Sequence, residues 1–148
     1  VAYIDSVHGD TSPAARARLE QLREQVARVD ALTPATASSS GTLLGAPASY
    51  WLDLRGYHPE AVAQRVRRPM LILQGGRDYQ VTRVDFAAWQ HALASRSDVT
   101  FHLYPSLDHL FISGTGPSRP EDYERPGHVD GQVIDDIARW VSALHGAR

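Results

Sequence analysis

A chain of 148 residues, 43% of them apolar, holds enough hydrophobic side chains for one core and too few for two. Fifteen Arg and no Lys face seventeen Asp and Glu, a net charge of −2, so no basic field exists to gather nucleic acid or an anionic membrane surface. The lack of cysteine removes disulfide scaffolds, thiolate zinc sites and cysteine nucleophiles together, no apolar run approaches the roughly eighteen residues that cross a bilayer, and residue 1 is not followed by a signal-like pattern; a soluble, cytoplasmic domain or part of one is expected.

Residues 1–10 show little regular pattern. Asp5, His8 and Asp10 are metal-ligating residue types, but three ligands in an irregular segment lack a recognised spacing, and no metal or cofactor is assigned. Thr11-Ser12-Pro13 combines capping hydroxyls with a proline suited to the first helical position and predicts a helix to about Leu32. Leu19, Leu22, Val26 and Val29 form one apolar stripe on it; two heptads are too few for a coiled coil, so the stripe reads as ordinary packing. From Thr33 to Ser49 the composition turns to Thr, Ala, Ser, Pro and Gly without periodicity, which reads as a mobile connection. Tyr50 to Tyr57 is dense in large apolar side chains and leads toward the main core, and His58-Pro59-Glu60 opens a short helix through about Arg65. Arg67 and Arg68 read as a solvated boundary.

Met70-Leu71-Ile72-Leu73-Gln74, between Pro69 and Gly75-Gly76, reads as a buried strand. Thr82 and Asp85 form a capping box for a helix with Phe86, Trp89 and Leu93 on one face, ending near Ser95. A second strand spans about Val99 to Tyr104, with His102 alternating outward, and the intervening helix makes the two strands parallel neighbours in a right-handed β-α-β crossover. Ser106 to Asp130, rich in Gly and Pro, reads as a long functional or mobile loop without the context of a nucleotide loop at Gly114 to Gly116. The last helix is capped by Asp130, with His128 near its start, and carries Val133, Ile134, Ile137, Trp140, Val141 and Leu144 on one face.

Asp78 lies just past the end of the first of these strands and His109 just past the end of the second. Ligands bind at that edge of open parallel sheets, and adjacent strands lie under about 5 Å apart, so a carboxylate and an imidazole on the two loops can meet. Such a pair fixes the imidazole tautomer and leaves the other ring nitrogen as a base for a hydroxyl nucleophile. The competing reading of Asp78 is a turn former, and of His109 an exposed loop residue. Asp108 is the rival acid, but neighbouring side chains diverge, which favours Asp78. Tyr79 and Gln80 flank the acid and are candidates to line a substrate pocket, with packing as the alternative.

Pro69 to Val81, running through Gly75-Gly76-Arg77-Asp78, resembles the acid-bearing strand and loop of the α/β-hydrolases. Tyr104-Pro105-Ser106-Leu107-Asp108-His109-Leu110-Phe111 resembles the loop that holds the catalytic histidine in the dienelactone-hydrolase-like and prolyl-oligopeptidase-like branches, and Trp140 falls in the closing helix. The resemblance covers about Arg65 to Leu144. It implies an α/β fold, parallel strands with flanking helices, with Asp78 as triad acid and His109 as general base after the seventh and eighth strands. It also implies a helical cap and linker over residues 1–57, and the C-terminal part of the core over 58–148. The chain contains no Gly-x-Ser-x-Gly elbow for the nucleophile; Gly116-Pro117-Ser118-Arg119-Pro120 comes nearest, and its prolines and the lack of a preceding strand disqualify it.

The functional expectation is therefore part of a serine hydrolase acting on a small ester or amide substrate without a cofactor, with the nucleophile elsewhere. The alternative is a catalytically silent module whose sheet edge pairs with another chain, as a homo-oligomer or with a missing N-terminal half. A flavodoxin-like binding domain is disfavoured by the two strands and the missing phosphate loop.

Overall fold

In a computed structural model that describes residues 12–146, the chain forms two units, one ending at His58 and the other beginning at Pro59. Helices alternate with a small antiparallel and a small parallel sheet, a mixed α/β architecture. None of these helices is long and apolar enough to cross a membrane. Thr11, Asp5, His8 and Asp10 lie outside the described residues.

The first unit opens with helix α1 (Pro13–Asp30), where the Ser12 hydroxyl accepts the Ala15 N–H at 3.1 Å and Pro13 takes the first helical position. Leu19, Leu22, Val26 and Val29 are half-buried while their neighbours Arg18, Arg23 and Arg28 are exposed, so the stripe packs inward. The segment from Thr33 to Ser49 departs from the expected mobile connection. Thr33 and Thr36 cap helix α2 (Pro34–Ala37) reciprocally. Strands β1 (Thr42–Leu43) and β2 (Ala46–Pro47) then form a hairpin. Its two-residue turn, Leu44-Gly45, has φ +47° and +83°, the positive pair that matches the twist of a hairpin. A leucine at a position usually given to Asn hides that turn from sequence inspection.

The hairpin is held because it is packed. Leu43 is 1% exposed and joins Leu32 and Ala48 in a small core; burying one such leucine is worth about 2 kcal/mol. Helix α3 (Ala48–Arg55) supplies Trp51, whose indole N–H donates to Leu43 O at 2.9 Å. Arg55 donates to the carbonyls of Leu32, Val29 and Asp30 at 2.7, 2.8 and 3.1 Å, satisfying the end of α1 that no later turn can reach. Trp51 and Leu52 thus pack on this unit's core, while Tyr50 and Leu54 stay exposed.

The second unit begins with helix α4 (Pro59–Ala63), shorter than the expected helix to Arg65. Its trailing carbonyls are bound by Arg96, which donates to Ala63, Val66 and Arg68 while paired with Asp98. Arg67 and Arg68 are exposed. Strand β3 (Met70–Gly75) pairs in parallel with β4 (Val99–Tyr104), in register from Met70↔Val99 to Gly75↔Tyr104. Between them, helix α5 (Arg83–Ala92) starts at the expected Thr82 and Asp85 box, whose Thr82 backbone and hydroxyl donors hold the Asp85 carboxyl below the usual range.

Side chains alternate across β4, and the two helices exploit it. Phe101 meets Phe86 of α5 edge to face at 5.8 Å, and Tyr104 on the opposite side contacts helix α6 (Gly131–Gly146). The sheet therefore lies between α5 and α6. Tyr104, Leu107 and Val133 form the core on the α6 side, with Leu73 and Phe111 packed on it. His102 does not simply turn outward as expected. It shares the face of Tyr104, stacks on that ring at 4.3 Å and lies 3.5 Å from Asp136, because α6 covers this face. Asp136 accepts the Tyr104 hydroxyl at 2.8 Å and also pairs with Arg139.

Burial first, and the Asp136 carboxylate second, push the Tyr104 hydroxyl well above the usual phenol range. The folded state therefore favours the neutral phenol: its contribution is complete below about pH 10 and fades as pH rises beyond that value. Thermal denaturation between about pH 8 and about pH 11 is expected to show a steeper loss of stability for the wild type than for Tyr104→Phe.

Candidate active site

The site is built where β3 and β4 end. Gly76 N–H donates to Tyr104 O at 2.8 Å and Arg77 N–H to Leu107 O at 2.9 Å, so the two following loops are stitched together by backbone. This approach requires the paired glycines. A Cβ on Gly75 would stand 2.3 Å from Asp108 O, and one on Gly76 would stand 2.6 Å from the Pro105 Cα. Beneath the loop, buried Gln74 uses its amide nitrogen to reach Gly75 O and Val81 O, both at 2.9 Å.

Asp78 is fixed by its own loop. Oδ1 accepts the N–H groups of Gln80 and Val81 at 2.8 and 2.9 Å, an Asx-type turn, which leaves Oδ2 for His109. The His109 Nδ1–H donates to Oδ2 at 2.8 Å. With the carboxylate as acceptor, Nδ1 is the donor, and in the neutral imidazole this tautomer leaves the lone pair on Nε2. The side chain of Asp78 is 7% exposed and that of His109 37%, so the acid is enclosed and the base opens to the surface.

His109 is presented by a tight turn that Asp108 constructs. The Asp108 carboxylate accepts Leu110 N–H at 2.9 Å and Ile112 N–H at 3.0 Å, while its backbone N–H donates to Ile112 O and its carbonyl accepts from Phe111. Phe111 sits at φ +56°, a left-handed conformation that these bonds hold in place. The rival acid suggested by adjacency is thus a turn builder, 3% exposed and bonded away from the imidazole. Sequence inspection missed this role and that of Gln74; the only available signal was a polar residue at each end of an otherwise apolar segment.

Of the other candidates, Tyr79 stacks on Tyr123 at 5.8 Å and Gln80 contributes its backbone N–H with its side chain exposed. Ser118 is fully buried, which removes it from contact with any substrate. Asp130 caps α6 through Gln132 N–H at 2.9 Å, whereas His128 is exposed and takes no part in that bond. Of the two readings of Ser106 to Asp130, a functional or a mobile loop, the bonds within it favour an ordered segment. A Leu107↔Ser113 bridge, a short 3-10 turn over Pro120–Glu124 and the Asp130 N–H to Phe111 O bond give it structure. Among the described residues no group of three or more His, Asp or Glu side chains is placed to hold a metal.

The chain is 50% identical over 99 residues to Esterase EstD of Thermotoga maritima, an alignment covering 67% of this chain and 24% of that protein. The chain thus spans about a quarter of the length of this curated relative. No family model and no solved structure matches it. The similarity is to a hydrolase, of the esterase kind.

Removing the Asp108 carboxylate strands two N–H groups in a tight, buried turn. Asp108→Ala is expected to lower stability by about 2–3 kcal/mol, and Asp108→Asn, which keeps one acceptor oxygen, by less; urea denaturation measures both.

Proposed function

We propose that this chain is the acid- and histidine-bearing part of an α/β-hydrolase that cleaves esters, and with less ease amides, by a Ser-His-Asp mechanism. The observation that carries the reading is the 2.8 Å Asp78–His109 bond, with the acid enclosed and the base open. The similarity to an esterase supports the same reaction class. In this reading the unit ending at His58 is a helical cap, Tyr79 and Gln80 lie at the pocket, and the nucleophilic serine comes from outside these 148 residues, which hold no Gly-x-Ser-x-Gly sequence.

The chemistry follows from the geometry. As the serine oxygen bonds to the substrate carbonyl, His109 Nε2 takes its proton, and the resulting imidazolium is stabilised by the Asp78 carboxylate across Nδ1–H. The same proton then passes to the departing alcohol, and water repeats the sequence to release the acid. Because Asp78 is held by two backbone donors, it can orient the imidazole without itself accepting the proton.

In the full-length enzyme, Asp78→Asn and His109→Ala are each expected to lower kcat by roughly 10³–10⁴ with the fold retained by circular dichroism. Intact-mass analysis after fluorophosphonate treatment is expected to show one adduct on the full-length protein and none on the 148-residue chain alone. Undiminished turnover in both variants removes the triad assignment, and an adduct on the short chain places the nucleophile within it.

A second reading, a silent module that pairs with a second copy of itself, is favoured by one feature. Strand β3 bonds only to β4 among the described residues. Beside it runs an apolar groove of about 450 Å³, lined by Met70 and Ile72 with Trp89 of α5 and Ile137, Trp140 and Val141 of α6. An unpaired edge flanked by tryptophans is a pairing surface. Light scattering on the eluting 148-residue chain discriminates: this reading expects a dimer of 16.3 kDa protomers, and a stable monomer removes it.

A further inference from the structure

Arg77 precedes the acid, yet its side chain turns away from it. The side chain is 11% exposed, and the guanidinium donates from Nε to Gly116 O at 2.8 Å and lies 3.5 Å from the Asp122 carboxylate. It also lies flat against Gly114, where a Cβ would stand 2.1 Å from one of its terminal nitrogens. Asp122 in turn accepts Arg119 N–H at 3.0 Å, so the cation grips a segment that is already internally tied. A half-buried guanidinium that meets a carbonyl, a carboxylate and a glycine backbone ties the acid loop to this segment at several points.

The next residue of the gripped segment, Tyr123, stacks on Tyr79, the neighbour of the acid on its other side. The interplanar angle is 27°, both rings are half-buried with the Tyr123 hydroxyl turned inward, and Tyr79 follows Asp78 directly in the acid loop. Asp78 and His109 have their own supports, the Asx-type turn and the Asp108 turn, neither of which involves the Arg77 side chain. The Arg77 side chain bonds to Gly116 and pairs with Asp122, and the residue after Asp122 is the partner of Tyr79 in the stack.

We infer that Arg77 is a positioning residue for substrate binding: by locking residues 114–125 onto the acid loop it holds Tyr123 against Tyr79, and the stacked rings form the wall that receives the hydrophobic acyl chain of the ester. The inference rests on the hydrolase reading given above. It makes Tyr123 a specificity-determining residue with no counterpart among the motifs visible in the sequence.

The test compares p-nitrophenyl acetate with p-nitrophenyl decanoate as substrates of the full-length enzyme. Arg77→Ala is expected to raise KM for the decanoate roughly tenfold, by more than it lowers kcat, while the acetate KM moves much less. Tyr123→Ala should reproduce that pattern, the double variant should add little to either, and Arg77→Lys, which keeps the charge without the fork, should fall between. A general loss of packing would lower turnover of both esters without changing their ratio, and that outcome overturns the inference. Should Arg77→Ala fail to fold, Tyr123→Ala decides alone: an unaltered preference between the two esters refutes the wall. Loss of turnover in Asp78→Asn and His109→Ala beside an unaltered preference sinks this inference only; retained turnover in those two variants sinks the hydrolase reading with it.

Discussion

Two parallel strands bonded in register deliver whatever follows them to the same edge, and in this chain the pairing of β3 with β4 sets the position of every group in the candidate site. The register ends at Gly75↔Tyr104, and the next backbone bonds, from Gly76 and Arg77, carry the same closeness into the loops. Had either glycine carried a side chain, its Cβ would have met backbone, which cannot yield as a flexible side chain can. The loops would then have separated by an ångström or more, and the 2.8 Å bond between Asp78 and His109 depends on that distance.

Beyond the strand ends, carboxylates do the work that helices do elsewhere. Asp78 gathers two N–H groups and an imidazole, Asp108 gathers two N–H groups, and Asp122 gathers an N–H and a guanidinium. Charge-assisted bonds are individually stronger than neutral ones, so these carboxylates stiffen the loops that composition alone marks as loose. This division of labour also separates roles: Asp78 faces the imidazole, Asp108 shapes the backbone that presents it, and Asp122 serves the loop opposite.

The strands, the capped helix between them and the last helix were legible because hydrophobic period and capping chemistry are local. Asp78 and His109 could be singled out for a related reason, since each lies in the loop after a readable strand, and the structure brings their side chains to 2.8 Å. What escaped is long-range or conformational. The Leu44-Gly45 turn depends on a core that buries Leu43, and α4 ends early because of an arginine 33 residues further along. Part of the order of Ser106 to Asp130 comes from Arg77, which bonds to Gly116 O from 39 residues earlier, and part from bonds between distant positions of the stretch itself, such as Asp130 N–H to Phe111 O. His102 alternates as a strand residue should; which face becomes covered was decided by Tyr104 and Asp136, not by its own polarity.

The last helix shows how differently site and stability are distributed. Val133 is 2% exposed against the sheet, while Ile134, Ile137 and Val141 on the same apolar stripe are 55, 42 and 40% exposed. The stripe is wider than the two strands beneath it, and the same excess appears along the edge of β3 that is unpaired among the described residues. Apolar area left in water contributes nothing to folding at about 25 cal/mol per Å², so this unit gains less from its helices than their sequences could give. The acid–base pair needs none of that missing burial, because its atoms are fixed by bonds running from Gln74 to Ile112. A chain that spans a quarter of a longer esterase can therefore carry a formed Asp78–His109 bond on a body whose apolar stripe is only partly covered.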